Sequence, residues 1–320
     1  MKRLLTALAI VVALTAVWAQ TPITSVRQNA FVDGKQLLHD LQVLSADDME
    51  GRQVDTPGGA KARAFVINRF KESGVKPFGD KYEQPFTFSP RGRAGGATPV
   101  ERHGVNVIGE IAGTRQPTRY IVVSAHYDHI GTRNGTVNNG ADDNASGTAA
   151  LFALAKYFSA HRPANTLIFA AFDGEEANLQ GAYAFVKTPP VDQASIIVNV
   201  NMDMIGRDPD DKLFAVGTVA NPFLKPFLEA VAAKAPVKLL FGHEDPKEKE
   251  DWSKDSDHYA FQQAKIPAIY LGVEDFDQHH KSTDDYETMT FDFYIRAAET
   301  SIKVVQAFDA NLAAIEKQRK

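Results

Sequence analysis

The chain has 320 residues, 44% of them hydrophobic and 23% charged, with a formal net charge of -5. That balance argues against a nucleic-acid partner and leaves no basic face for an anionic membrane. There is no cysteine, which excludes a thiol nucleophile, a disulfide or a thiolate metal site, so any metal must be held by His, Asp and Glu.

The start reads as an export leader. Lys2 and Arg3 precede an apolar run from Leu4 to Val17, and Val17-Trp18-Ala19 fits a small-residue cleavage site. The run is short for a bilayer span, and no cysteine follows it to take a lipid. Cleavage after Ala19 is expected, leaving 20–320 as one domain without a stable membrane anchor, in the periplasm or outside the cell.

After the leader, Leu37, Leu38, Leu41 and Leu44 recur at helical spacing, and Ala60 to Ser73 continues in the same way, with Glu50-Gly51-Arg52 as a turn between them. Lys76 to Phe88 reads as loop and short strand. Arg91 to Val100 reads as a surface loop. From Val105 strands alternate with helices. Strands are expected at 106–111, 120–125, 166–172, 196–202, 213–216, 238–241 and 268–271. Helices are expected at 145–160, 180–187, 222–235 and 258–264, with a long closing helix whose apolar face is Ile295, Ala298, Ile302, Val305, Phe308 and Leu312. Several strands are apolar at consecutive positions, as in a sheet covered on both faces. The expected fold is therefore α/β, a mixed, mostly parallel sheet between two helix layers.

In such sheets, ligands bind beyond the carboxyl ends of the strands. His126 and Asp128 follow one strand, Asp173, Glu175 and Glu176 the next, and Asp203 a third. His279 and His280 follow the last strand, and Asp142 and Asp143 lie between a strand and a helix. Taken singly, each has a plain structural role: Asp143 or Asn144 could cap the following helix, and the two glutamates could face a helix dipole. Taken together, so many carboxylates on one edge require cations. Nitrogen and oxygen donors without sulfur suit zinc, with manganese or cobalt as substitutes. Five ligands with one shared carboxylate can serve two ions. Two such ions about 4 Å apart bind a carbonyl and a water together, which leaves one of the paired glutamates free to take a proton.

The motifs His126-Tyr127-Asp128, Gly140-Ala141-Asp142-Asp143-Asn144-Ala145-Ser146-Gly147, Asp173-Gly174-Glu175-Glu176, Asn201-Met202-Asp203, Ser256-Asp257-His258 and His280 with Asp284 occur in this order. The chain resembles the co-catalytic di-zinc exopeptidases, which include secreted bacterial leucyl aminopeptidases and glutamate carboxypeptidase. The resemblance implies a mixed eight-stranded sheet between helices. It also implies one zinc on His126 and Asp203, a second on Glu176 and His280, and Asp142 bridging them with a cis peptide after it. Glu175 is then the general base, and Asp128 orients His126. Of the adjacent histidines, the spacing to Asp284 favours His280 as the ligand. The implied activity is an exported aminopeptidase acting on peptides or amino-acid amides. The alternative is a single-zinc cyclase of N-terminal glutamine, from the related glutaminyl cyclases.

Ser256-Asp257-His258 is not a nucleophilic triad, because consecutive residues cannot stack in that geometry. The charge-dense segment from Glu244 to Asp257, with Trp252 inside it, reads as a solvated loop or as a rim for the charged amino end of a substrate. Asn134-Gly135-Thr136 matches a glycosylation acceptor.

Overall fold

Strand β4 (Gln116–His126) ends in the histidine that opens the first motif, and the sheet is laid out around it. The computed structural model describes residues 29–89, 100–247 and 249–319, so the expected leader, 1–19, and residues 91–99 lie outside the described residues. β4 pairs in parallel with β7 (Asn165–Phe172) on one side and with β8 (Ile196–Met202) on the other. β8 in turn pairs in parallel with β11 (Ala268–Gly272). The margins turn antiparallel: β3 (Arg102–Ile111) runs against β7, and β9 (Lys212–Val216) runs against β11. β10 (Lys238–Leu240) lies parallel to β9 at one end. β1 (Lys76–Pro77) and β2 (Glu83–Phe88) both pair with β3 at the other, completing nine strands.

The side-chain pattern explains why this sheet is covered twice. Every residue of β7, β8 and β11 is buried, which a strand achieves only with packing on both faces. Successive residues alternate between the faces. Ile121, Val123, Leu167 and Phe169 enter the larger core, while Val122, Ile168, Ala170 and Phe172 enter the smaller one. Helices α1 (Gly34–Leu44), α2 (Pro57–Glu72), α3 (Gly147–Ala160) and α7 (Phe291–Gln318) supply Leu37, Phe70, Phe152 and Phe308 to the larger core. α4 (Gln180–Lys187) and α6 (His258–Gln263) cover the other face, where Phe185 and Phe261 sit 5.5 and 6.1 Å from Phe172. The expected apolar face of α7 is buried along its length. The helix expected at 222–235 is divided: a short 3-10 turn, Pro222–Leu224, precedes α5 (Lys225–Ala232). Pro226 has no N–H to donate back to the preceding turn.

Two turns use left-handed backbone. Glu50, Gly51 and Arg52 have φ of 53°, 67° and 50°, a left-handed run rather than a simple turn. A Cβ on Gly51 would lie 2.5 Å from the Asn138 carbonyl oxygen, so glycine is needed there for space as well as for φ. Asn134 and Gly135, also at positive φ, are the two-residue turn between β5 (Thr132–Arg133) and β6 (Thr136–Val137). An Asn-Gly pair is the ordinary signal for such a hairpin, and it accounts for the tripeptide that also matches a glycosylation acceptor. No helix of the described residues is long and apolar enough to cross a membrane.

Candidate metal centre

The parallel centre of the sheet places the carboxyl ends of β7, β4, β8 and β11 along one edge, and the expected site residues lie just beyond those ends. His126 closes β4, Glu175 and Glu176 follow β7, Asp203 follows β8, and His279 and His280 follow β11. The acidic loop before α3 reaches over them.

Asp143 sits at the middle of this group. Its Oδ1 is 3.4 Å from His126 Nε2, which is itself 3.2 Å from Asp203 Oδ1. Its Oδ2 is 3.3 Å from His280 Nε2, which is 2.9 Å from Glu176 Oε2. The two oxygens of one carboxylate thus face two separate histidine–carboxylate pairs. This corrects the expectation for Asp142, which does not reach the cluster. Adjacent residues leave the backbone in different directions, and the Asp142 Oδ1 instead accepts the Gly206 N–H at 2.7 Å. The cis peptide expected after Asp142 lies between Asp143 and Asn144. Helix capping falls to Asn144, whose side-chain oxygen accepts the Gly147 N–H. Glu175 and Glu176 precede α4 by several residues, so the helix-dipole reading does not apply to them.

Of the adjacent histidines, His280 makes both contacts, whereas His279 reaches only Asp143, at 3.6 Å. Glu175 lies with His126 and Asp203 in one compact group of potential donors, and His129, Asp143 and Glu176 form another. Asp128 is placed to fix the His126 ring. His126 Nδ1 is 3.1 Å from the Asp128 carbonyl oxygen and 3.6 Å from its carboxylate, which also accepts the Glu175 N–H. An Nδ1–H donated there leaves Nε2 free toward Asp143 and Asp203.

Two contributors, His129 and Arg52, carry no clear mark in the sequence, and Asp284, marked there only by its spacing to His280, takes a definite role. His129 is fully buried, with Nδ1 2.7 Å from Glu176 Oε1 but not aligned for a hydrogen bond. Its only signal is its place three residues after His126. Arg52, also fully buried, donates to the carbonyl oxygens of Leu44, Tyr127, Asn139 and Gly140. It thereby ties the β4–α3 connection to the end of α1. The Asp284 carboxylate accepts the backbone N–H groups of Asp142 and Asp143 and pairs with Arg207 at 2.8 Å. Asp203 is held by the Ser256 hydroxyl at 2.5 Å, and Ser256 accepts from Asn201.

The electrostatics fit cations. Burial pushes the Asp143 carboxyl up, but His129, His126 and His280 hold it well below its ordinary range. The contacts with Asp143 and Glu176 raise His280 to about 10. Burial drives Glu175 well above the carboxylate range; His126 opposes this, and Asp203, Glu176 and Asp257 reinforce it. The buried Glu176 Oε1 and both ring nitrogens of His129 have no hydrogen-bond partner among the described residues. Buried polar atoms seldom stay unpaired, and these are the donor types that divalent zinc takes.

A carboxylate shared between two histidine–carboxylate pairs thus lies at the carboxyl edge of a doubly covered α/β sheet, in a set of donors that could hold metal ions. The chain belongs to peptidase family M28: the sequence model described as Peptidase family M28 matches residues 106–305, well over half of it. A probable zinc metalloprotease of Pyrenophora tritici-repentis is 32% identical over 127 residues, which are 35% of this chain and 29% of that protein. One from Pyricularia oryzae is 37% identical over 107 residues, covering 32% and 21%. The chain thus spans under a third of the length of these relatives. Among solved structures, the zinc aminopeptidase BSAP from Bacillus subtilis superimposes with a TM-score of 0.70 at 16% identity, covering 89% of this chain and 96% of that one. The glutaminyl cyclase of Fimbriiglobus ruber gives 0.67 at 20% identity, covering 90% and 99%. The shared fold is the expected mixed sheet between helices.

Proposed function

We propose that this chain is an exported aminopeptidase that removes N-terminal residues from peptides or amino-acid amides. The observation that carries the reading is Asp143, with each oxygen facing its own histidine–carboxylate pair. His126 and Asp203 would hold one zinc and Glu176 and His280 the other, with Asp143 shared; manganese or cobalt would substitute. When bound, such ions polarise a scissile carbonyl and acidify a water. The remaining work belongs to the chain. Asp128 keeps His126 Nδ1 occupied, and Ser256 holds one Asp203 oxygen. The carboxylate of Glu175 takes a proton from the attacking water and returns it to the leaving amine. Proton transfer of this kind contributes roughly 10²–10⁴-fold. Export rests on the Lys2–Ala19 leader, with residues 20–320 as the mature domain.

The likeness to glutaminyl cyclases supports a second reading, cyclisation of N-terminal glutamine on a single zinc. The complete donor set for two ions, His126 and Asp203 included, favours the peptidase. The test is the zinc-loaded protein on leucine 4-nitroanilide and on a glutaminyl peptide, each with and without a chelator. Release of nitroaniline, abolished by the chelator, is expected. Release of ammonia from the glutaminyl peptide, with no nitroaniline, would establish the cyclase instead.

A further inference from the structure

Beside the cluster opens a cavity of about 290 Å³, with Asp143, Glu175, Asp203 and His280 lining one part of it. Met204, Trp252, Tyr270, Val273 and Phe276 add an aromatic and aliphatic wall, and His279 also lines the cavity. Trp252 is held rigidly. Its indole stacks on His243 at 3.9 Å with 10° between the planes, and Phe214 and Phe276 meet it edge-on at 5.7 and 6.0 Å. Such walls alone would accept any apolar side chain. Two further lining residues, Glu250 and Asp255, change the chemistry, because among the described residues no lysine or arginine lines the cavity.

These two carboxylates are not neutralised from within the protein. Glu250 pairs with Lys249 at 3.3 Å, but the lysine side chain is 94% exposed, and exposed pairs of this kind contribute little. Asp255 has no ion-pair partner among the described residues. Burial, and then the carboxylates of Asp251 and Glu250, raise its pKa against the opposing pull of His279, so the charge around it is mostly negative. Nor are they needed for the ions, whose donors are Asp143, Glu176, Asp203 and the histidines.

We propose that this cavity selects a long cationic side chain, lysine or arginine, at the N-terminus of the substrate, with Trp252, Glu250 and Asp255 as the residues that determine the choice. The aliphatic stem lies against Met204 and Val273 while the charged end meets the carboxylates, an arrangement that suits amphipathic side chains. A cation over the indole face adds to the attraction. An N-terminal glutamate is repelled by the same two carboxylates. The proposal rests on the aminopeptidase reading for catalysis, but not for binding.

Trp252 makes the two separable. The chain has two tryptophans, and the other, Trp18, is in the expected leader. In the full chain carrying Trp18→Phe, fluorescence reports on the cavity alone. Titration with L-lysinamide and L-leucinamide should show the lysine compound binding at least roughly 10-fold more tightly. On the zinc-loaded protein, kcat/KM for lysine and arginine 4-nitroanilides should exceed that for leucine by a similar factor. Glu250→Gln with Asp255→Asn should lower the lysine-to-leucine ratio in both measurements by about 10-fold. Equal or weaker binding of lysinamide, or a ratio that the double variant leaves in place, would overturn the proposal. Tighter lysinamide binding without hydrolysis of any anilide would uphold the cavity and remove the aminopeptidase reading.

Discussion

Two loops meet at the candidate centre, and they are built in opposite ways. The β4–α3 connection ends in Ala141–Ser146, buried at every position. Arg52 holds it through the carbonyls of Asn139 and Gly140, and Asp284 through two backbone N–H groups. The facing wall, formed from the segments around 250–255 and 273–280, presents half-exposed Phe276 and His280 and the carboxylates of Glu250 and Asp255. Trp252 is its deep anchor. The first loop fixes donor atoms by saturating the backbone. The second offers side chains to whatever enters the cavity. His280 apart, which the second segment contributes to the donor set, reaction geometry and substrate choice are thereby carried by different segments.

The largest expected effect contrasts two neighbours within the first loop. Asp143→Asn should strip most of the metal, because it removes the anion shared by both donor pairs, while Asp142→Asn should keep it. Elemental analysis after dialysis decides, with about two zinc ions per chain expected for the parent. Retention by Asp143→Asn together with loss from Asp142→Asn would make Asp142 the shared ligand after all.

Arg52→Met comes next. It removes the donor to four buried carbonyls and should lower stability by roughly 3 kcal/mol or more. Urea unfolding of the metal-free protein measures this, and a loss below about 1 kcal/mol would show that the loop does not depend on that anchor.

Glu175→Gln should keep both ions while kcat falls at least roughly 10²-fold. Glu176→Gln should weaken metal binding first. If the two variants exchange these behaviours, the assigned roles are reversed; near-native kcat in Glu175→Gln would end the hydrolytic mechanism.

The smallest effect probes the second wall from beneath. His258 is buried against Tyr270, and burial pushes its imidazole down to about 3. The folded value lies below the unfolded one near 6.5. The neutral ring therefore costs no stability above that pH, and stability is lost as pH falls from about 6.5 toward 3. The slope is about 1.4 kcal/mol per pH unit. His258→Phe in the metal-free protein should flatten the unfolding free energy between pH 6 and pH 5 by about that amount. An unchanged slope would mean that the histidine is protonated where it lies.

Much of this centre is legible from spacing. Apolar runs mark the central strands, and the residues just beyond the end of each run bring His126, Glu175, Glu176, Asp203 and His280 to one edge. Asp142 and Asp143 cannot be separated in that way. Two identical residues in a loop have no period, and only the tie to Asp284 and the contact with Gly206 settle which carboxylate turns inward. His129 is hidden for a similar reason: three residues beyond a strand end, its direction depends on how the loop folds back. Arg52 is obscured because its partners are carbonyl oxygens, which leave no trace in side-chain patterns. The left-handed run at Glu50–Arg52 carries only Gly51 as its mark.

The strand order also has a consequence for biosynthesis. β4 precedes its parallel neighbours β7 and β8 in the chain, and the strand that leads to His280 is β11, which pairs with β8 and β9. The donor pair of Glu176 and His280 therefore cannot assemble until the ribosome has passed residue 280. A nascent chain, or a fragment truncated before that point, would carry the His126–Asp203 half without its counterpart. The candidate centre is therefore completed only after β11 and the segment that follows it have been made, so the topology itself sets the order in which its two halves form.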